Sequence, residues 1–236
     1  MKLLNLIVCL LLFPTAILLA DEPGKKVAIN PTLLNYINKV KSDFSKIPKD
    51  RKEELDKITL FIQNKVNSAE PVQLTYICTH NSRRSHFGQI WAATAATYYD
   101  IPKVKTFSGG TESSAFNERA VAACTRAGFE ITKTSEDKNP LYEVGYAMDA
   151  EPLKAFSKKY DDPSNPQNGF CAIMTCSQAD NACPVVKGAS SRVAIPYDDP
   201  KEFDGKPQET AKYDERCRQI ATETFYVFSK VKVKVQ

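Results

Sequence analysis

Apolar positions recur at helical spacing in two stretches near the start of the chain. Leu33, Leu34, Ile37, Val40 and Phe44 follow Asn30 and Pro31, a side-chain cap and a first-turn proline. Pro48 breaks that stripe, and Leu55, Ile58, Phe61, Ile62 and Val66 form a second one. The pair reads as a structural extension that packs on the rest of the chain, with a partner-binding hairpin as the other reading. From Pro71 onward, apolar runs of strand length alternate with helical stripes. Val72–Cys78 reads as a strand, and Trp91, Ala95 and Tyr98 continue an apolar helical face after Ser85. Val104–Gly110 reads as a strand running into a glycine turn, and Asn117 opens a helix that Gly128 closes. Residues 129–133 and 141–148 read as short extended pieces, and 161–169, with Pro163 and Pro166, as a surface loop. Residues 170–175 form an apolar run that places Cys171 and Ile173 on one face of a strand. A further strand is expected at 192–197 and a last helix at 207–228. This alternation predicts an α/β fold, a three-layer sandwich around a central parallel sheet with an N-terminal helical extension. Such sheets take ligands at the carboxyl ends of their strands, and Cys78 and Cys176 each follow a strand at that edge.

Composition narrows the picture. The chain has 236 residues, 42% hydrophobic and 25% charged, as in an ordinary globular protein. A net charge of +4, with basic and acidic residues interleaved, gives no argument for nucleic acid. Residues 1–20 carry Lys2, an apolar run from Leu6 to Leu19 and Ala20 ahead of Asp21, the pattern of a cleavable export signal. The run is short for a membrane span, so no stable membrane association is expected. The expected organisation is a signal peptide at 1–20, a linker and helical pair at 21–69, and the main domain at 70–236. The mature protein is expected to be exported, periplasmic or secreted. It then keeps Cys78, Cys124, Cys171, Cys176, Cys183 and Cys217. An even number in an exported chain suggests structural disulfides, but a chain of this size does not need them, so a redox reading stands beside. Cys124, Cys171 and Cys217 fall on helix or strand patterns and read as core thiols.

The candidate chemistry begins where the first main strand ends. Cys78 is followed by Thr79, His80, Asn81, Ser82, Arg83, Arg84 and Ser85. A tight polar loop between a strand and a helix start aims backbone N–H groups at one point, which suits a tetrahedral oxyanion. A thiolate there is stabilised by the same donors, and an arginine fork grips two oxygens at once. Arg83 and Arg84 at a helix N-terminus oppose the macrodipole and so call for an anion. The plain alternative is a buried strand-end cysteine before a basic helix start.

A second constellation follows the run at 170–175. Cys176 and Cys183 lie seven residues apart in what reads as a polar loop. Metal binding is disfavoured, because four ligands are wanted and the two histidines, His80 and His86, sit in the other segment. A static disulfide is one reading. Thiol exchange is the other, in which Cys176 attacks a sulfur at Cys78 and Cys183 then attacks Cys176. Asp199, before Pro200, is either a turn residue or a proton donor at the same sheet edge.

Taken together, these residues resemble one family. The stretch from Cys78 to Ser85 resembles the signature loop of low-molecular-weight protein tyrosine phosphatases and of the thioredoxin-coupled arsenate reductases that share their fold. Ser108, Gly109 and Gly110 look like the family's second-strand turn, and Asp199-Pro200 its general-acid pair. The segment from Cys176 to Pro184 is similar to the redox segment of the reductases, which the phosphatases lack. The resemblance covers roughly residues 71–228, in the family's order. It implies that Cys78 attacks arsenate, that Arg84 and the loop from Thr79 to Ser85 hold the oxygens, and that Asp199 protonates the departing one. Asn81 would hold the loop's shape and Ser85 would donate to the thiolate. Cys176 would then attack Cys78, and Cys183 would move the disulfide outward to Cys176–Cys183. No bound cofactor or metal is implied, only an external thiol reductant such as a thioredoxin-like protein. A phosphatase of the same fold, hydrolysing phosphate monoesters, is the alternative, and a non-enzymatic oxyanion-binding or redox-sensing protein the third. The sequence departs from the family at four points. His80 replaces a usual Gly, Arg83 often a Cys, and Gln89 the acid that holds a potassium ion in some reductases. Lys201-Glu202-Phe203 replaces the phosphatases' tyrosine pair. Export would also set the chain apart from a mostly cytoplasmic family.

Overall fold

The computed structural model describes residues 28–183 and 185–233. The expected leader at 1–20 and most of the linker after it lie outside the described residues. Residues 28 and 29, the end of that linker, run antiparallel to the segment after Gly145: Ile29 bridges Ala147, and the Met148 N–H donates to the Ala28 carbonyl at 2.9 Å.

Two helices come first. Helix α1 (Pro31–Ser42) starts where the Asn30 carboxamide accepts the Thr32 N–H, and α2 (Lys49–Asn67) starts after Pro48. Leu33, Ile37 and Val40 of α1 and Leu55, Ile58 and Ile62 of α2 are buried in the main core. Each such side chain contributes about 1.5–3 kcal/mol. Both helices pack on the last helix, α6 (Glu209–Ser229), so the pair shares one core with the sheet.

The central sheet is parallel, in the order β2 (Val104–Gly110), β1 (Val72–Cys78), β6 (Phe170–Met174), β7 (Ala189–Ala194). Helix α3 (Arg84–Tyr98) packs on β1, β2 and α6, and α4 (Glu118–Ala127) packs on α6. Trp91 anchors this layer, stacked on Tyr36 at 5.5 Å and edge-on to Phe129 at 4.8 Å. The opposite sheet face carries a smaller cluster in which Ile77, Phe170, Ala172 and Met174 meet Ala179 and Val186. Alternation along β6 divides the two: Cys171 and Ile173 face the main core, and Phe170, Ala172 and Met174 the small one. The extended pieces after α4 form a separate antiparallel sheet, β3 (Glu130–Lys133), β4 (Tyr142–Gly145) and β5 (Leu153–Ala155).

All four parallel strands end at one edge. Cys78 pairs with Gly110 there, and Ile77 with Met174, two residues before Cys176. Residues 195–197 continue β7 past this edge: the Ile195 N–H donates to the Met174 carbonyl at 2.9 Å and the Tyr197 N–H to that of Thr175 at 3.1 Å. Asp199 follows directly.

One expectation is corrected. Gly109 and Gly110 do not turn; they are the last two residues of β2, extended and paired with Ile77 and Cys78. Their lack of a side chain serves packing. A Cβ at Gly109 would lie 2.4 Å from the Tyr160 Cα.

Candidate active site

Cys78 is the last residue of β1 and is 3% exposed. The loop that follows is fixed from outside. The Thr111 N–H donates to the Cys78 carbonyl at 3.1 Å, the Glu112 N–H to that of Thr79 at 2.8 Å, and the Asn117 N–H to that of Ser82 at 2.9 Å. Ser157 and Ser114 hydroxyls donate to the His80 carbonyl at 3.0 and 3.2 Å. Four loop carbonyls are thus engaged, and in a trans peptide the N–H at the other end points away from the carbonyl's partner, which leaves these groups for an anion nest.

Asn81 sets the bend. Its φ is +44°, a left-handed conformation that asparagine tolerates. Its Oδ1 accepts the Lys158 backbone N–H at 2.8 Å, and a backbone N–H can only donate, so Nδ2 faces the other way. There it donates to Ser85 Oγ at 2.9 Å. That occupies a lone pair of the hydroxyl and leaves its proton for Cys78 Sγ, 3.1 Å away. A thiolate at Cys78 has no proton to give, so against the ionised sulfur it is Ser85 that donates, which stabilises the anionic form.

Arg84 opens α3 and is 6% exposed. Its Nη1 donates to the Tyr197 carbonyl at 2.8 Å and its Nη2 to Asp199 Oδ2 at 2.7 Å. Its Nε is buried without a hydrogen-bond partner. Asp199 also caps a 3₁₀ turn at Pro200–Phe203 by accepting the Lys201 N–H at 3.1 Å. The fold thus forms two hydrogen-bonded sets, Cys78 with Ser85 and Asn81, and Arg84 with Tyr197 and Asp199, which meet where Arg84 and Ser85 open α3. Arg83 and His80, grouped with the oxyanion set by sequence, turn their side chains mainly to other partners. Arg83 Nε donates to the Tyr213 hydroxyl at 2.8 Å, and its guanidinium lies 3.7 Å from Asp204 and 3.9 Å from Asp199. His80 is half-exposed on the rim, 3.5 Å from the Glu112 carboxylate.

The second thiol pair is built differently from the expected loop. Cys176 and Cys183 flank a short helix, α5 (Ser177–Ala182). Cys176 is fully buried and caps the helix, its Sγ accepting the Ala179 N–H at 3.4 Å. Cys183 is half-buried. Arg192 holds the helix to β7, donating to the Cys183 carbonyl at 3.1 Å and to the Asp180 carbonyl at 2.8 Å and pairing with the Asp180 carboxylate. Cys176 and Cys78 share the small apolar cluster, and the Thr79 hydroxyl lies 3.4 Å from Cys176 Sγ. All six cysteines of the described residues are free thiols. Cys124, Cys171 and Cys217 are buried in the main core. Burial pushes the Cys171 thiol up to about 12, and burial with the neighbouring Cys217 raises Cys124 well above the ordinary range. Both stay protonated and unreactive.

Sequence reasoning passed over a cleft of about 630 Å³ beside the loop. Its lining includes His80, Arg83, Lys133, Lys138 and Lys201, with Glu118 the one acidic residue among the basic ones. Each lysine alone reads as a solvated surface charge, and it takes β3, the connection after it and the turn at Pro200–Phe203 to bring them to one place. Among the described residues, no three His, Cys, Asp or Glu side chains are grouped to hold a metal.

His86 is the other residue that sequence left without a role. It is fully buried, stacked on Phe116 at 4.1 Å with Nδ1 3.3 Å from Ser108 Oγ. Burial, with the nearby Lys158 adding to it, pushes its pKa down from 6.5 to about 3. The unfolded chain then binds a proton that the native state refuses between those values. Stability therefore falls as pH drops from about 6.5 to about 3, by about 1.4 kcal/mol per unit at full effect. Denaturant unfolding of wild type and His86→Gln at pH 7 and pH 5 checks this: the loss between the two pH values is expected to shrink in the variant.

A strand-end thiol, a loop tied by its carbonyls, an arginine at the start of the next helix and an aspartate beyond the end of β7 meet at one sheet edge, the arrangement that a thiolate beneath a bound oxyanion requires. The chain is similar in sequence to arsenate reductases and aligns in structure with low-molecular-weight phosphatases. No family model matches it. In sequence it is similar to the arsenate reductases of Bacillus licheniformis and Bacillus subtilis, each 24% identical over 143 residues, 61% of this chain and 84% of the relative. Among solved structures, a low-molecular-weight phosphotyrosine phosphatase of Vibrio cholerae O395 aligns with a TM-score of 0.45 at 10% identity, over 67% of this chain and 94% of that one. The thioredoxin-dependent arsenate reductase of Corynebacterium glutamicum aligns with a TM-score of 0.35 at 17% identity, over 79% and 81%.

Proposed function

We propose that this protein reduces arsenate to arsenite through a three-thiol relay. The observation that carries the proposal is the burial of Cys176 in the apolar cluster that holds Cys78, with the Thr79 hydroxyl of the anion loop 3.4 Å from its sulfur. In a phosphatase the second thiol would take no part in ester hydrolysis and would be protective or vestigial. The similarity to curated arsenate reductases supports the same reading.

The steps balance as follows. The Cys78 thiolate attacks arsenic, a sulfur–arsenic bond forms, and one oxygen leaves as water, taking a proton from Asp199. Arg84 and the loop amides neutralise the remaining oxygens. The Cys176 thiolate then attacks Cys78 Sγ. A disulfide forms, the sulfur–arsenic pair of electrons passes to arsenic, and arsenite leaves. Cys183 attacks Cys176 and releases Cys78 as a thiol. An external dithiol, of the thioredoxin-like class, reduces Cys176–Cys183. Across α5 the two Cα atoms lie roughly 10 Å apart along the helix axis, beyond the span of a disulfide, so α5 has to unwind in this step. With six residues and one buried side chain, Ala179, it has little to hold it beyond Arg192.

One observation favours a second activity. The basic cleft next to the loop has room for an organic leaving group, which arsenate does not need. Cys78, Arg84 and Asp199 would then hydrolyse a phosphate monoester without the relay. Replacing Cys176 or Cys183 with serine separates the two. Arsenate-dependent consumption of a dithiol is expected to vanish in both variants, while aryl phosphate hydrolysis survives within a few-fold. Brisk ester cleavage with no arsenate turnover in wild type would leave phosphatase as the function.

A further inference from the structure

The helical pair reaches the site through one side chain. Arg51, in the first turn of α2, is only 18% exposed and meets Glu223 of α6, which is 4% exposed. Arg51 Nε and Nη2 lie 3.0 and 2.9 Å from Glu223 Oε2. The same guanidinium donates to two consecutive carbonyls, Ile195 at 3.3 Å and Pro196 at 3.2 Å. Its face lies over the Tyr197 ring at 4.8 Å, and the Tyr197 hydroxyl donates to Glu223 Oε2 at 2.7 Å. Arg51 thus grips residues 195–197 by two carbonyls and one ring, and shares the Glu223 carboxylate with the Tyr197 hydroxyl.

Those three residues are the connection between β7 and Asp199. The next carbonyl in the run, that of Tyr197, receives Arg84 Nη1, and Asp199 receives Nη2. Where residues 195–197 sit therefore decides where the guanidinium of Arg84 points. Neutralising a buried carboxylate takes one ionic contact, and a lysine supplies that. Nη2 alone reaches both carbonyls, and holding it there while the Nε edge meets Glu223 and the guanidinium face stacks on Tyr197 needs the planar group of arginine.

We propose that Arg51 is a positioning residue for the Cys78 site: through residues 195–197 it sets the orientation of Arg84 and Asp199. The helical pair is then a strap that keeps the anion grip in place. The proposal rests on the reading of the loop as an oxyanion site, because its consequence for binding is read there.

The test compares Arg51→Lys with Glu223→Gln by two measurements. The first is the set of guanidinium N–H signals of Arg84 in nitrogen-15 NMR without any oxyanion, assigned with Arg84→Lys. A guanidinium pinned to Tyr197 and Asp199 gives separate, slowly exchanging Nη signals. Arg51→Lys is expected to merge or lose them, with the melting temperature within about 3 °C of wild type. Glu223→Gln keeps the carbonyl contacts and is expected to retain them. The second is protection of Cys78 from iodoacetamide by inorganic phosphate. Its half-protecting concentration is expected to rise on the order of tenfold in Arg51→Lys and to stay within twofold in Glu223→Gln. Unchanged Arg84 signals in Arg51→Lys would overturn the proposal. Equal loss in both variants would also overturn it, since charge balance alone would then explain the effect. Phosphate failing to protect wild type counts against the oxyanion reading of the loop, and the Arg84 signals still decide the strap.

Discussion

Cys78→Ser is expected to lower arsenate reduction and aryl phosphate hydrolysis alike, by on the order of 10⁴-fold or more, with the fold intact. The change exchanges one atom at a site 3% exposed, so packing barely moves. The chemistry does not survive it. A thiol is a few per cent ionised at neutral pH and is intrinsically nucleophilic, whereas a hydroxyl needs a base to take its proton. No base is placed for that. The Ser85 hydroxyl already accepts from Asn81 and carries no charge with which to take a proton from position 78. His80 faces Glu112 on the rim, and His86 has its Nδ1 against Ser108. Asp199 accepts from Arg84 and Lys201. Serine would be held in a nest built for an anion it cannot supply. Phosphate binding, measured by calorimetry, is expected to persist within a few-fold, because Arg84 and the loop are untouched. Activity of the variant above about 1% of wild type in either assay would move the nucleophile elsewhere, and the cores around Cys124 and Cys171 offer only protonated thiols.

Much of this site was legible before any coordinate. The strand, loop and helix around Cys78 carry their own local signals, and Asn81 announces a left-handed bend by its residue type. The α1 and α4 boundaries follow from Asn30, Asn117 and Gly128, which cap as expected. What was illegible depends on distant partners. Helix α5 has no apolar stripe, and its cap is a thiol in place of the usual hydroxyl or carboxylate. Arg192, from the next strand, holds it. Strand β5 is three residues long and exists by pairing with β4. The two arginines before Ser85 read alike in sequence. Tyr213 and Asp204 draw Arg83 aside, and Tyr197 and Asp199 take Arg84. The glycine pair was misread as a turn because the reason for glycine there is the backbone passing over it.

That last point carries the other large effect. Gly110→Ala is expected to remove oxyanion binding and both activities by at least about a hundredfold. A Cβ at Gly110 would lie 2.1 Å from the Glu112 carbonyl oxygen, 2.6 Å from that of Thr79 and 2.8 Å from the Asn81 nitrogen. All three are backbone atoms, so no side chain can swing away to admit the methyl. The Glu112 N–H to Thr79 carbonyl bond at 2.8 Å ties two of them together, and Asn81 is pinned by Lys158 and Ser85. The loop has to lift off β2 as a unit, carrying Thr79 away from Cys176 and Ser85's donor away from Cys78. Overpacking of this kind costs about 1–3 kcal/mol, so the variant should fold with a melting temperature lower by several degrees. Gly169→Ala is the control. Its φ of +75° makes alanine strained, yet nothing lies within 4 Å of the added carbon, so stability falls and activity stays. Melting curves and phosphate protection of Cys78 from alkylation, measured on both variants, separate loss of stability from loss of the nest. If Gly110→Ala melts low but still protects Cys78 as wild type does, the end of β2 does not hold the loop in its binding shape.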